Sequence, residues 1–425
     1  MKIAVVGLWH LGCVTAACLA HAGYDVIAYD HDPEIIHHLN NKIVPIFEPG
    51  LNDLLFQKNN LNYSNERDDI SEAHIIWITY DTPVDENDIA DIDFVTKNIV
   101  ALFPYLQQHA LILVSSQLPV GTIRQLQNLC KKSHPHKNII FACSPENLRL
   151  GKAIEVFSKP DRIIVGIDSE NDKSMIQDLL FPFTHHIIWM SIESAEMTKH
   201  ALNAFLATSV VFINELATLC EKTGANAREV EKGLKSEERI GPKAYLRPGN
   251  AIAGGTLARD VNYLVQIGQQ HTTKTPLFSA LLDSNHAHKQ WSCRKVIDIL
   301  KDIKHKTIAV LGLTYKVGTD TLRRSAAVES CLWLNNLGAK VVAFDPALTH
   351  LPADLADMIQ LKHTLDEALV DADAILISTE HPEFQNLTPD QIIMRTNQAC
   401  IFDPSAFLAK KLGMDTRLRY FSVGQ

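Results

Sequence analysis

Two stretches far apart in this chain are written on one plan. Lys2–Val6 is a short apolar, β-branched run ending at Gly7; a helical stretch over Cys13–His21 closes at Gly23; a second run, Tyr24–Tyr29, stops at Asp30. Far downstream, Thr307–Leu311 is followed by Gly312, and Lys340–Phe344 by Asp345. A short continuous apolar run bounded by glycine reads as a strand buried on both faces, which is the condition of parallel sheets. Further runs at Ile75–Thr79, Leu111–Ser115, Ile139–Ala142 and Arg162–Gly166, with helices between them, extend the first plan. Ala374–Ser378 and Ala399–Phe402 extend the second. Such alternation predicts a doubly wound α/β sheet, here twice.

Between the two lies a different pattern. From Ser194 to about Leu234 the period is helical, with Met197, Ala201, Ala204, Phe205, Leu206, Phe212, Ile213, Leu216 and Leu219 on the apolar side. Strand signals are absent until about residue 307. The predicted fold class is α/β: two Rossmann-like doubly wound domains joined by a helical central segment with a long connecting helix. The expected boundaries are 1–190, 191–305 and 306–425. Each outer part is long enough to bury its own core, and the long helix offers an oligomer face.

Composition excludes several classes. With 46% hydrophobic and 21% charged residues the chain has an ordinary globular balance. The net charge of −9 is spread along it, which leaves no footprint for nucleic acid, so an anionic substrate must be met by locally placed bases. Cysteines 13, 18, 130, 143, 220, 293, 331 and 400 are scattered without a C-x-x-C pair. Free thiols in a reducing cytoplasm fit them better than disulfides or a zinc site, and no metal is expected. Met1-Lys2 with Ala20-His21-Ala22 imitates an export signal, but Gly7, His10 and Gly12 break the run and Asp25 and Asp30 follow. No uninterrupted apolar run reaches the ~20 residues of a membrane span. The expectation is a cytoplasmic protein without membrane or nucleic-acid partners.

Gly7-Leu8-Trp9-His10-Leu11-Gly12 occupies the place of a G-x-G-x-x-G fingerprint, between first strand and first helix. Asp30 ends the second strand, where a carboxylate accepts both ribose hydroxyls and opposes a 2′-phosphate. This favours NAD over NADP. The middle glycine, which lets the backbone approach pyrophosphate, is Trp9. The helix N-terminus still offers N–H groups and a positive dipole end, and His10 adds a donor. An ordinary strand-to-helix turn is the competing reading.

Further motifs follow in order: Val14-Thr-Ala-Ala-Cys-Leu19, Ile46-Phe-Glu-Pro-Gly-Leu51, Thr82-Pro83, Leu118-Pro-Val-Gly-Thr122, Pro145-Glu-Asn-Leu148, Pro160-Asp-Arg162, and Ala195-Glu-Met-Thr-Lys199 with Asn203, Asn214 and Glu215. Then come Arg239-Ile-Gly241, the octet Ala253–Asp260, Leu311-Gly-Leu-Thr-Tyr-Lys316 with Asp320, Arg323 and Ser325, Phe344-Asp-Pro346, and Thr379-Glu380 with Phe384. In order and spacing the chain resembles the UDP-glucose/GDP-mannose dehydrogenase family, closest in pattern to its UDP-glucose 6-dehydrogenases. The resemblance implies NAD-dependent oxidation of the C6 alcohol of a UDP-hexose, twice, with a catalytic cysteine holding the aldehyde between the two steps. It implies catalytic roles for Lys199, Asn203, Asp260 and Glu146, with Thr256 at the cysteine's position. Lys199 and Asn203 are spaced to share one helical face. Thr82, Gln117 and Arg323 join Gly7, Trp9, His10, Leu11, Gly12 and Asp30 as cofactor contacts. Glu146, Leu148, Lys199, Asn203, Arg239, Tyr245, Leu246, Gly254 and Lys316 are the implied substrate contacts. Arg239 matches an arginine offered to a neighbouring subunit, so a homodimer or higher even oligomer is implied.

The departures fall together. The family octet reads Gly-Gly-Ser-Cys-Phe-Pro-Lys-Asp; here Thr256 replaces the cysteine, Ala258 the proline and Arg259 the lysine. Gln117 stands where the family has a threonine near the catalytic water, Leu150 where it has a second glutamate, and Ser405 where it has an arginine for the sugar nucleotide. Groups for alcohol oxidation remain, and groups for trapping and hydrolysis are gone. A thiol is partly thiolate near neutrality, whereas a threonine hydroxyl needs a base to act as nucleophile. Cys143 is a remote substitute thiol; strand-end cysteines are usually packing residues. Three readings stay open: one two-electron oxidation, a four-electron enzyme using Thr256 or water, and a non-catalytic nucleotide-sugar or dinucleotide-binding protein retaining the fold.

Overall fold

The structure, a computed structural model, describes residues 1–57, 60–85, 90–146, 148–253 and 256–425. It divides into two compact units, 1–202 and 203–425. The first is built on eight strands: β1 (Lys2–Val6), β2 (Asp25–Tyr29), β3 (Leu61–Ser64), β4 (Ile75–Ile78), β5 (Leu111–Val114), β6 (Ile140–Cys143), β7 (Ile163–Ile167) and β8 (Ile187–Met190). Their order is β3-β2-β1-β4-β5-β6-β7-β8, parallel except between β6 and β7. The second unit holds β9 (Thr307–Leu311), β10 (Lys340–Phe344), β11 (Ile359–Leu361), β12 (Ala374–Ile377), β13 (Cys400–Phe402) and β14 (Arg419–Phe421), ordered β11-β10-β9-β12-β13-β14 and parallel throughout. Both sheets therefore carry the doubly wound order, with the chain reversing direction beside β1 and β9.

The apolar runs explain themselves in the packing. Along β1, Ile3 and Val5 enter one core while Ala4 and Val6 enter another on the opposite face; β4 and β5 divide their side chains the same way. In β9, Ile308 and Val310 pack on one side and Ala309 and Leu311 on the other. Because strand side chains alternate and both faces are covered, no polar residue is tolerated at either parity. Each such fully buried Val, Ile or Leu contributes roughly 1.5–3 kcal/mol.

Ile192–Thr223 is one helix of 32 residues, and the division between the units falls inside it. Ala227–Ser236, Thr256–Gln270, Pro276–Lys289 and Trp291–Leu300 follow, and no strand lies between β8 and β9 among the described residues. By length and mean hydropathy the long helix would suffice to cross a membrane, although its sequence holds no uninterrupted apolar run of the ~20 residues a span requires. Its buried polar residues are engaged by protein groups: Glu196 by the N–H groups of Gly121 and Ile123, Asn214 by the N–H of Gly249.

Candidate functional site

In the first unit the loop after β1 is shaped by two glycines. Gly7 has φ +96°, and a Cβ there would lie 2.6 Å from Tyr80 Cδ1; a Cβ on Gly12 would lie 1.9 Å from the Gly7 carbonyl oxygen. Trp9, at the missing middle glycine, sits at φ −94° and ψ −152°, a conformation open to any residue. The turn is therefore undistorted. What changes is the surface, since the indole is 44% exposed immediately before the helix His10–His21. No side chain caps that helix start, so its leading N–H groups are not answered in the way a Ser or Asp would answer them.

Two acids, Asp30 and Glu48, and their partners hold this loop. Asp30 is buried and accepts the Leu8 N–H at 2.7 Å and the Asp32 N–H at 3.1 Å, with the His31 ring at 3.1 Å. His10 Nε2 meets Glu48 Oε2 at 2.9 Å, and Glu48 also accepts the N–H groups of Gly151 (2.8 Å) and Ala153 (2.9 Å). Burial opposes ionisation of Glu48, yet the Gly151 N–H and the His10 ring hold its carboxyl below the usual value. Leu11 is partly buried on the first helix turn. Thr82 donates from Oγ1 to the Gln117 carbonyl at 2.7 Å, which joins two expected cofactor residues.

Glu146 and Lys199 also come together: Lys199 Nζ donates to the Glu146 carbonyl oxygen at 2.5 Å. The Glu146 carboxylate accepts the Leu148 N–H at 2.6 and 2.8 Å. Beside Lys199 on the long helix stand two residues to which the sequence reading assigned no role. Glu196 accepts the N–H groups of Gly121 (2.7 Å) and Ile123 (3.1 Å), at the start of the helix Thr122–Ser133. His200 Nε2 lies 3.1 Å from the Leu118 carbonyl. A carboxylate at a helix N-terminus is favoured by the dipole, although burial pushes the Glu196 pKa up. Together they fix the segment that carries Gln117. Their signal was spacing: Glu196 precedes Lys199 by one helical turn, on the same face.

In the second unit Asn203 donates from Nδ2 to Asp260 Oδ2. Asp260 is fully buried. Thr256 opens the helix Thr256–Gln270 one turn earlier and is exposed. Gly254, an expected substrate contact, lies outside the described residues. The chain leading to this helix is pinned by its backbone. Asn214 takes the Gly249 N–H (3.0 Å) and donates to Asn250 (3.2 Å); His288 Nε2 donates to the Gly249 carbonyl (2.8 Å); Asn285 bonds both backbone groups of Ile252 (2.8 and 3.0 Å). Leu246 is buried and Tyr245 is 60% exposed. Arg239 projects from the surface and pairs with Glu237 at 2.9 Å.

Lys316 and Arg323 are exposed on the loop between β9 and the helix Ala326–Asn336. That loop is tied down by Asp345 at the end of β10, which accepts the N–H groups of Leu313 (2.7 Å) and Thr314 (2.8 Å) and lies 3.2 Å from His381 Nε2. Burial opposes the charge on Asp345, but His381 and the backbone N–H groups hold its carboxyl well below the usual range. Asp345 thus repeats the bond Asp30 makes to its own loop. All eight cysteines are free and buried. Burial, then the Glu196 carboxylate, push the Cys143 thiol well above its ordinary value, so it is a poor thiolate.

Sequence comparison matches all three parts of this arrangement to one family. Residues 1–184 match the NAD binding domain, 193–287 the central domain and 309–410 the UDP binding domain of the UDP-glucose/GDP-mannose dehydrogenase family. The chain is 32% identical to the UDP-glucose 6-dehydrogenase of Rhizobium meliloti, with all of both chains covered. It is 32% identical to the UDP-glucose 6-dehydrogenase TuaD of Bacillus subtilis, covering 100% of this chain and 93% of the relative. A solved UDP-glucose dehydrogenase from Pyrobaculum islandicum superposes with a TM-score of 0.86 at 25% identity, over 95% of this chain and 97% of that one. An NAD-binding Rossmann domain and a UDP-binding domain thus flank a helical centre, and the chain belongs to the UDP-glucose/GDP-mannose dehydrogenase family.

Proposed function

We propose that this protein is an NAD-dependent nucleotide-sugar dehydrogenase acting on a UDP-hexose and performing one two-electron oxidation, to a carbonyl product. The observation that carries this reading is the pair Asn203–Asp260, a buried carboxylate held by an amide, beside a threonine where the family has its thiol. The loop of Gly7 and Gly12 fits a dinucleotide, because a Cβ at either glycine would close the approach of strand and helix. NAD, when bound, accepts the hydride. Asp260 takes the hydroxyl proton, Asn203 orients that carboxylate, and the Lys199 ammonium steadies negative charge on oxygen. Glu146, Leu148, Arg239, Tyr245, Leu246, Gly254 and Lys316 are assigned to the substrate; Trp9, His10, Leu11, Asp30, Thr82, Gln117 and Arg323 to the cofactor. The division 1–190, 191–305 and 306–425 goes with these roles. A cytoplasmic setting agrees with eight free thiols.

The same reading includes a homodimer or higher even oligomer. Phe205, Phe212 and Leu219 are 72%, 49% and 61% exposed, spaced seven residues apart along the long helix. That is the stripe a second helix covers. Trp9 favours a second reading, a non-catalytic binder, since a bulky, 44% exposed residue stands at the N-cap of the first helix where a glycine would let the backbone meet pyrophosphate. Incubation with NAD and a panel of UDP-hexoses, followed by absorbance of the reduced cofactor, decides: reduction with one sugar supports the dehydrogenase, and NAD that fails to bind supports the binder.

A further inference from the structure

In the second unit two guanidinium groups meet at one carbonyl. Arg228 Nη2, from the helix Ala227–Ser236, donates to the Ser405 carbonyl at 2.7 Å, and Arg247 Nη2, from the segment before the octet, donates to the same oxygen at 2.9 Å. Ser405 lies three residues past the last residue of β13, at the carboxyl end of a parallel sheet where doubly wound folds hold ligands. Neither arginine has an ion-pair partner among the described residues. Glu231, one turn along from Arg228, is engaged by Lys235 at 2.7 Å. The Nε of Arg228 is buried and finds no acceptor. Burial, and next the neighbouring Arg247, disfavour the charge of Arg228. Two like charges are thus held side by side on a neutral oxygen, offset only in part by the nearby Glu231 and Asp403 carboxylates, an arrangement that an anion bonded by both would relieve further.

We propose that Arg228 and Arg247 form a phosphate-binding clamp that receives the diphosphate of the nucleotide sugar. The proposal rests on the nucleotide-sugar reading for its ligand. Arginine suits the task, because its fork keeps several donors available after one is given to a carbonyl. Both residues lie outside the stretch that matches the UDP binding domain, so the helical centre contributes charge to the nucleotide subsite. Position 405 contributes only its backbone, and Gly249 packs so closely that a Cβ there would stand 3.1 Å from Ser405 Oγ.

Calorimetric titration of the full-length protein with inorganic pyrophosphate and with UDP tests this, using Arg228→Gln and Arg247→Gln, with NADH binding and melting temperature as controls. The expected result is weakening of both ligands by at least about tenfold in each variant, the loss of one charge-assisted contact, with NADH binding unchanged. UDP and pyrophosphate binding unaffected by either variant overturns the clamp and leaves the nucleotide-sugar reading standing. Arginine-dependent binding of pyrophosphate without any binding of UDP keeps the clamp and removes that reading. Failure of the unaltered protein to bind either ligand removes both. Should Arg228→Gln lower the melting temperature, the exposed Arg247 decides alone.

Discussion

The amide of Asn203 is hydrogen-bonded to the carboxylate of Asp260, which has no exposed surface. The amide satisfies and orients the buried carboxylate, and the proposed role of that carboxylate is to take the hydroxyl proton. Asp260→Asn is expected to lower kcat for the alcohol oxidation by about 10²–10⁴-fold with little change in substrate affinity. Steady-state kinetics with the best UDP-hexose check this; a loss under about fivefold would remove Asp260 from the proton's path.

Asp30 is the residue proposed to set the choice of cofactor. It directly follows β2 and holds the N–H of Leu8 at 2.7 Å, while the nearby Arg67 is engaged by the Tyr29 hydroxyl. NAD is expected to bind more tightly than NADP by ~1–2 kcal/mol, the size of one charge conflict with a solvent-screened 2′-phosphate. Asp30→Ala should weaken NAD and narrow the gap. Equal binding of the two cofactors by titration contradicts the assignment.

The stripe of Phe205, Phe212 and Leu219 should be covered by a second copy. The protein is expected to sediment as a dimer or higher even oligomer at micromolar concentration, and Phe205→Glu with Phe212→Glu to dissociate it. A monomer that still binds the nucleotide sugar would refute this assembly.

His288 gives the fold a dependence on pH. Buried, and donating to Gly249, it has its pKa lowered from 6.5. Below pH 6.5 the unfolded chain takes up a proton that the folded imidazole refuses, so stability falls as pH drops from there towards the folded pKa. The slope contributed reaches at most about 1.4 kcal/mol per pH unit. His288→Gln keeps a donor without the titration. Between pH 6.5 and 5.5 the unaltered protein should lose more stability than the variant in chemical denaturation; parallel losses would contradict this.

The central strands were legible because burial on both faces leaves an unbroken apolar run, as in Ile75–Ile78 and Leu111–Val114. β3, with the sequence Leu-Asn-Tyr-Ser, and β8, half-buried along its length, are edge strands. An edge strand needs no such run, and β3 lacks one; β8 is a four-residue apolar run, Ile-Ile-Trp-Met, outside the strands read from the sequence. The first helix begins at His10 instead of Cys13, because the end of the glycine loop is already helical. Residues within a contiguous motif were readable, Asp30 and Gly12 among them. Arg228, Asn285 and His288 were not. They act on backbone groups far away in sequence, and no local spacing announces such a partner.

Thr256 is proposed to end the reaction after one hydride transfer. On this proposal the aldehyde, without a thiolate, has no covalent hold, and Gln117 and Leu150 stand where the family resemblance implies groups placing the hydrolytic water. The most direct measurement counts reduced cofactor per UDP-hexose consumed, with hydroxylamine present to trap carbonyl product. We expect one reduced cofactor per sugar, a trapped carbonyl, and a Thr256→Ala variant whose oxidation stays within about tenfold, roughly 1.4 kcal/mol of barrier. Two reduced cofactors per sugar with a uronic acid product, and a Thr256→Ala variant that stalls after the first, would contradict it and give the threonine the cysteine's role.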